Sequence, residues 1–122
     1  MPSQDEFVAV FDQLRAILRP YADSLTLRHD TPVLYYLDGP YSAKWKKQLF
    51  FASVQIRKNY VSYYLMPVYM YPDLLEGISP ELKRHMQGKS CFNFRRFEPA
   101  LFDELEQLTR SGADRVRREN AA

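Results

Sequence analysis

Phe7, Val10, Phe11, Leu14, Ile17 and Leu18 recur at spacings of three and four, one apolar stripe along an amphipathic helix. Ser3 and Glu6 form a capping-box pair at its start, and Pro20 cannot continue it, so the helix is expected to end near Arg19. From Leu25 the period falls to two. Leu25 and Leu27 alternate with Thr26 and Arg28, and Val33 to Leu37 form a second β-rich run. His29-Asp30-Thr31-Pro32 is expected as the turn between them, Asp38-Gly39-Pro40 as the end of the second run, and Tyr41 to Lys47 as a loop. The clearest alternation follows, Phe50, Ala52, Val54 and Ile56 against Phe51, Ser53, Gln55 and Arg57, then Val61, Tyr63 and Leu65 against Tyr60, Ser62 and Tyr64. Asn59 tolerates the left-handed backbone of a tight loop, so these two runs should pair as a hairpin, with Pro67 limiting the second.

The remainder reads as shorter pieces. Tyr71 to Gly77 is one helical turn closed by glycine. Ser79-Pro80-Glu81-Leu82 is a cap with proline at the first helical position, in a helix expected to end at Gly88. Cys91 to Phe94 is a short strand. Pro99 opens a last helix with Leu101, Phe102, Leu105 and Leu108 as its stripe and Gly112 as its stop. The order α-β-β-β-β-α-β-α predicts an α+β fold: one domain over residues 1–112, with helices on an antiparallel sheet of about five strands, and a C-terminal tail over 113–122, either a loose helix or disordered.

At 122 residues the chain has room for one domain, and 46% hydrophobic with 26% charged residues is the balance of a globular protein. The acids at the N-terminus do not fit a secretory leader, and the longest charge-free run, Asn59 to Pro72, is short for a membrane span and holds Pro67. With Cys91 the single cysteine, no intrachain disulfide can form, and a cytoplasmic, monomeric or homodimeric protein is expected.

Charge and aromatic content sharpen the picture in one place. The net charge is +2, yet residues 39–72 carry Lys44, Lys46, Lys47, Arg57 and Lys58 and no acid. Residues 33–72 also hold most of the nine tyrosines. A basic, tyrosine-rich sheet face is therefore the expected surface of function, and Tyr35, Tyr63, Tyr64, Tyr69 and Lys89 are the candidate ligand-binding residues. Cations beside flat rings also suit nucleic acid, with Lys44, Lys46 and Lys47 as phosphate contacts, although no recognised motif accompanies them.

Other chemistry is thin. Gly88-Lys89-Ser90 lacks the upstream glycine of a phosphate loop, whose position holds Lys83, and runs from helix to strand rather than strand to helix. Cys91 with His85 or His29 could form a thiolate–imidazole pair, but a buried thiol is the simpler reading, and the spacing fits no zinc site. Asp5, Glu6 and Asp12 could offer oxygen ligands to a hard cation; a solvated helix face is again simpler. No catalytic activity and no cofactor are expected.

Lys58-Asn59-Tyr60-Val61-Ser62-Tyr63-Tyr64-Leu65, Tyr71-Pro72 with Leu74-Leu75, Gly88-Lys89-Ser90-Cys91-Phe92-Asn93-Phe94 and the Leu105/Leu108 helix together resemble the YdhG-like family of bacterial domains of unknown function, over about residues 44–112. The resemblance implies a compact α+β fold with a curved antiparallel sheet against helices. One branch of that family is described as a frataxin-like intracellular iron chaperone. This makes iron delivery the alternative to a non-catalytic binding module for a small ligand or protein partner.

Overall fold

A computed structural model describes residues 4–119. Helix α1 (Gln4–Leu18) precedes β1 (Thr26–Asp30), β2 (Leu34–Ser42), β3 (Lys47–Ile56) and β4 (Val61–Leu65). Helix α2 (Met66–Met70), a 3-10 turn (Pro72–Leu75), α3 (Pro80–Lys83), β5 (Met86–Gln87), β6 (Cys91–Phe94) and α4 (Pro99–Glu119) complete the chain. The six strands form one open antiparallel sheet in the order β1-β2-β3-β4-β6-β5. This is the expected α+β domain, with one strand more than anticipated, the two-residue β5. No helix among the described residues is long and apolar enough to cross a membrane.

Both long helices lie on one face of the sheet. The α1 stripe Phe7, Val10, Phe11, Leu14 and Leu18 and the α4 stripe Phe102, Leu105 and Leu108 close over Tyr35, Leu37, Phe51, Val54, Tyr63, Leu65, Phe92 and Phe94 in one core cluster. Burying a large apolar side chain stabilises by roughly 1.5–3 kcal/mol, so a two-helix cover over one face is what holds the sheet. The cap Ser3 expected for α1 lies outside the described residues.

Several boundaries differ from the sequence reading, each for a local reason. His29 and Asp30 belong to β1, and the turn is shorter, closed where the Thr31 amide donates to the Leu34 carbonyl at 2.9 Å. Gly39-Pro40 does not end β2, which runs on to Ser42 through an irregular stretch between Asp38 and Tyr41. β1 pairs with β2 only as far as Asp38, so the missing N–H of Pro40 sits beyond that edge and breaks no ladder to β1. Gln48 stitches the irregular stretch, its Nε2 donating to the Gly39 carbonyl and to Thr26 Oγ1, both at 3.0 Å. A bulge opposite Leu37 and Asp38 turns both Phe51 and Ala52 inward, so Phe50 faces away from the core instead of sharing a face with Ala52.

The β3–β4 hairpin closes without a left-handed asparagine. The Arg57 amide donates to the Tyr60 carbonyl at 2.8 Å, and Lys46 is the one non-glycine with positive φ (58°) among the described residues. Gly88 has φ 75°, as a helix-ending glycine would, but it turns β5 into β6, because α3 has already stopped at Lys83. Gly112 does not stop the last helix. It is buried within α4 where that helix crosses α2, and the helix continues to Glu119 with Val116 buried.

Candidate functional site

Among the described residues neither long helix covers the second face of the sheet, and only the short α2 borders it at one end. Strand alternation places Tyr36 and Asp38 of β2, Phe50, Ser53 and Gln55 of β3, Ser62 and Tyr64 of β4, and Cys91 and Asn93 of β6 on it, through the pairs Asp38↔Phe50, Tyr36↔Ser53, Ser53↔Tyr64, Gln55↔Ser62, Ser62↔Asn93 and Tyr64↔Cys91. Rings form a row across it. His29 meets Tyr36 edge-on at 5.7 Å, Tyr36 meets Phe50 at 4.7 Å and Phe50 meets Tyr64 at 5.3 Å. Such contacts fix the rings against one another and give the face a rigid apolar spine.

On one side of the row lies a cleft of about 360 Å³ lined by Ser53, Gln55, Arg57, Tyr60, Ser62, Tyr64, Gln87, Cys91 and Asn93. Its polar groups form a directed chain. Ser62 donates to Asn93 Oδ1 at 2.9 Å, so the Cys91 thiol, 2.8 Å away, is the donor to Ser62 Oγ; Asn93 Nδ2 in turn donates to Gln87 Oε1 at 2.6 Å. Arg57 Nη1 donates to Gln55 Oε1 at 3.1 Å. Each of these acceptors has a partner, and the cleft presents the amide nitrogens of Gln55 and Gln87 and the rest of the Arg57 guanidinium as donors, beside the Ser53, Tyr60 and Tyr64 hydroxyls, which can donate or accept. No acid lines it.

The candidate residues divide between the two faces. Tyr64 is on the open face and is 38% exposed. Tyr69, on α2, and Lys89 meet at one end of the face, with the lysine Nζ 6.0 Å from the ring centre. Tyr35 and Tyr63 point the other way, into the helix-covered core. The Tyr63 hydroxyl is hydrogen-bonded to buried Thr109 of α4, and burial pushes its phenol far above the ordinary tyrosine range, so it stays neutral. Burial also raises Tyr35 and Tyr36, with the Asp30 and Asp38 carboxylates respectively adding to it.

The remaining candidates do not converge. His85 stacks on Phe94 at 4.5 Å, with Nδ1 2.9 Å from the Asn93 carbonyl and Nε2 3.0 Å from Glu98, so both ring nitrogens have partners other than Cys91. His29 lies on the far edge strand. Cys91 is half-buried on the open face rather than enclosed in the core. Asp5, Glu6 and Asp12 are exposed on α1, with Asp12 paired to Arg15 at 2.9 Å. Among the described residues no three His, Cys, Asp or Glu side chains gather as a metal site would need.

Ser53, Gln55, Ser62, Gln87 and Asn93 escape a sequence reading because they look like ordinary polar strand positions. Their signal is register: Ser53, Gln55 and Ser62 alternate with buried Val54, Val61 and Tyr63. A larger hollow of about 530 Å³ sits on the helix side, walled by Tyr21, Leu25, Phe51, Ala113 and Val116. Its rim charges are engaged as Arg117–Asp114 at 2.7 Å and Arg110–Glu106 at 3.5 Å, leaving it little to specify a ligand. No family model, no curated protein and no solved structure matches the chain.

Proposed function

We propose that the protein is a non-catalytic binding module whose open sheet face holds a small, acceptor-rich, anionic ligand such as a carboxylate. The observation that carries this is the directed hydrogen-bond chain: the acceptors of Ser62, Asn93, Gln87 and Gln55 have partners within the cleft, while the Gln55 and Gln87 amide nitrogens and the Arg57 guanidinium face it as donors and no acid lines it. A ligand supplying acceptors completes the set, with Arg57 as counter-charge and Tyr64 as an apolar wall. Backbone amide shift mapping with a panel of small mono- and dicarboxylates is the test. Saturable shifts centred on Gln55, Ser62, Gln87 and Asn93 are expected, weakened at least about tenfold by Arg57→Ala, since a hydrogen bond to a charged group is worth roughly 1.5–3 kcal/mol. No shifts from any member of the panel, or shifts centred elsewhere, overturn the proposal.

We read the chain as a YdhG-like domain in the cytoplasm. The segments that carry the resemblance adjoin in the fold, since β4, which holds Val61 to Leu65, pairs directly with β6, which holds Cys91 to Phe94. A single cysteine, Cys91, is consistent with a reducing compartment.

A further inference from the structure

The other side of the aromatic row has a different chemistry. The β2–β3 hairpin end and helix α2 enclose a groove of about 400 Å³, with Trp45, Met66, Tyr69 and Met70 as walls and Tyr36 and Phe50 behind them. Trp45 and Tyr69 are 56% and 54% exposed, a large apolar area to leave in water at one place. Lysines surround it. The Lys44 Nζ lies 5.6 Å from the Trp45 ring centre and the Lys89 Nζ 6.0 Å from that of Tyr69, while Lys47 lines the groove and Lys46 holds the turn.

All four lysines are exposed, and none makes an ion pair with an acid among the described residues. The one acid on the groove, Asp38, is held by Arg28 at 2.9 Å. By contrast Arg15, Arg28, Arg110, Arg115 and Arg117 each sit against a carboxylate. Uncompensated positive charge is thus gathered where an apolar hollow opens, and it favours an anionic partner with an apolar anchor.

We propose that this groove binds an acidic peptide segment of a partner protein, one apolar side chain entering between Trp45, Tyr69 and the two methionines and flanking carboxylates meeting Lys44, Lys46, Lys47 and Lys89. Methionines give the adaptable wall such a side chain needs. A bilayer is a poorer match, because the aromatic rings line a hollow instead of crowning a protrusion. Single-stranded nucleic acid is poorer too, because the lysine ammoniums already lie over the Trp45 and Tyr69 rings on which bases would stack. This site is separate from the carboxylate cleft and does not depend on it.

Selection from a random peptide library on the immobilised full-length protein tests the proposal. Enriched peptides should carry two or more acids beside an aromatic or long aliphatic residue, and bind more weakly as salt rises. Their affinity should fall at least about tenfold in Trp45→Ala and in Lys44→Glu/Lys47→Glu, the loss expected of a central anchor and its charge ring. Both changes are at exposed positions, so an unchanged melting temperature accompanies the loss, and Arg57→Ala leaves peptide binding intact. No enrichment, enrichment of peptides without acids, or affinity unchanged in both variants overturns the proposal. So does tighter binding of oligo-dT or of phosphatidylserine vesicles than of the selected peptides.

Discussion

At the residue scale, Tyr63 shows how one position can be legible in kind and misread in role. Its place in a tyrosine-rich strand marks it as a ligand candidate, but alternation defines two faces without saying which one helices cover. The structure turns it inward onto Thr109. Tyr63→Phe should therefore lower unfolding free energy by about 1–3 kcal/mol, because Thr109 keeps a buried hydroxyl without its partner. The titration has a definite sign. Burial raises the folded phenol above its unfolded value of 10.0, so the folded state holds a proton that the unfolded state releases. The contribution of Tyr63 to stability is then flat below about pH 10 and falls by about 1.4 kcal/mol per unit above it. Chemical denaturation across that range should show the margin of the parent over Tyr63→Phe narrowing.

Gly112 teaches the same lesson through sterics. An isolated glycine after an apolar stripe has the signature of a helix stop, yet here it clears room for another helix. A Cβ at this position would lie 2.9 Å from Pro67 Cβ and 3.2 Å from its Cγ, atoms of a ring that cannot rotate away. Alanine would gain about 1 kcal/mol of helix propensity, and the clash, at roughly 1–3 kcal/mol, opposes it. Gly112→Ala is expected to be net destabilising in thermal melts; a stabilised variant would show that α2 and α4 can slide apart.

At the element scale, the long periodic segments were legible, as were the short strand Cys91–Phe94 and the Ser79 cap of α3, whereas α2, β5 and several boundaries were not. Six apolar positions at helical spacing specify α1, and alternation specifies β4 and, apart from the bulge at Phe51 and Ala52, β3. Tertiary partners act where local signals are weak or incomplete: Gln48 bridges the Gly39 carbonyl where β2 runs past its expected end, and Glu104 of α4 holds the α3 cap, which stands where the sequence places it, from a distance. Glu104 accepts from the Ser79 amide at 2.6 Å and from its hydroxyl at 2.7 Å, while Ser79 Oγ accepts from the Leu82 amide at 3.1 Å. Nothing around Ser79 in the sequence announces a carboxylate so far along the chain. Glu104→Ala should cost about 1–2 kcal/mol. Combined with Ser79→Ala the loss should be less than additive, since both changes remove the bond between the Ser79 hydroxyl and Glu104; additive losses in a double-mutant cycle would refute the coupling.

At the scale of the whole molecule, the sheet's two faces divide the labour. One is sealed by α1 and α4. The other is left open with a polar cleft and a basic apolar groove on either side of a ring row. The last helix belongs to the seal over its full described length, with Val116 buried and Arg115 reaching Asp73 at 2.8 Å and stacking over Tyr71 at 4.7 Å. Ending the chain after Gly112 should lower the melting temperature by on the order of 10 °C, from lost burial of Val116 and its neighbours. An unchanged melt would mean that the helix end contributes nothing.

The strands at the two rims of the sheet carry a further consequence. β5 is only two residues long, and β1 is interrupted between Leu27 and His29 and bears Arg28 and Asp30. Neither rim offers a long, regular row of free backbone groups, which is the template that lets sheets of separate molecules add to one another. Exposed aromatic surface adds to the tendency to associate, and these rims leave edge-to-edge pairing without a template. The rims therefore protect the open face, confining whatever approaches it to contact through side chains.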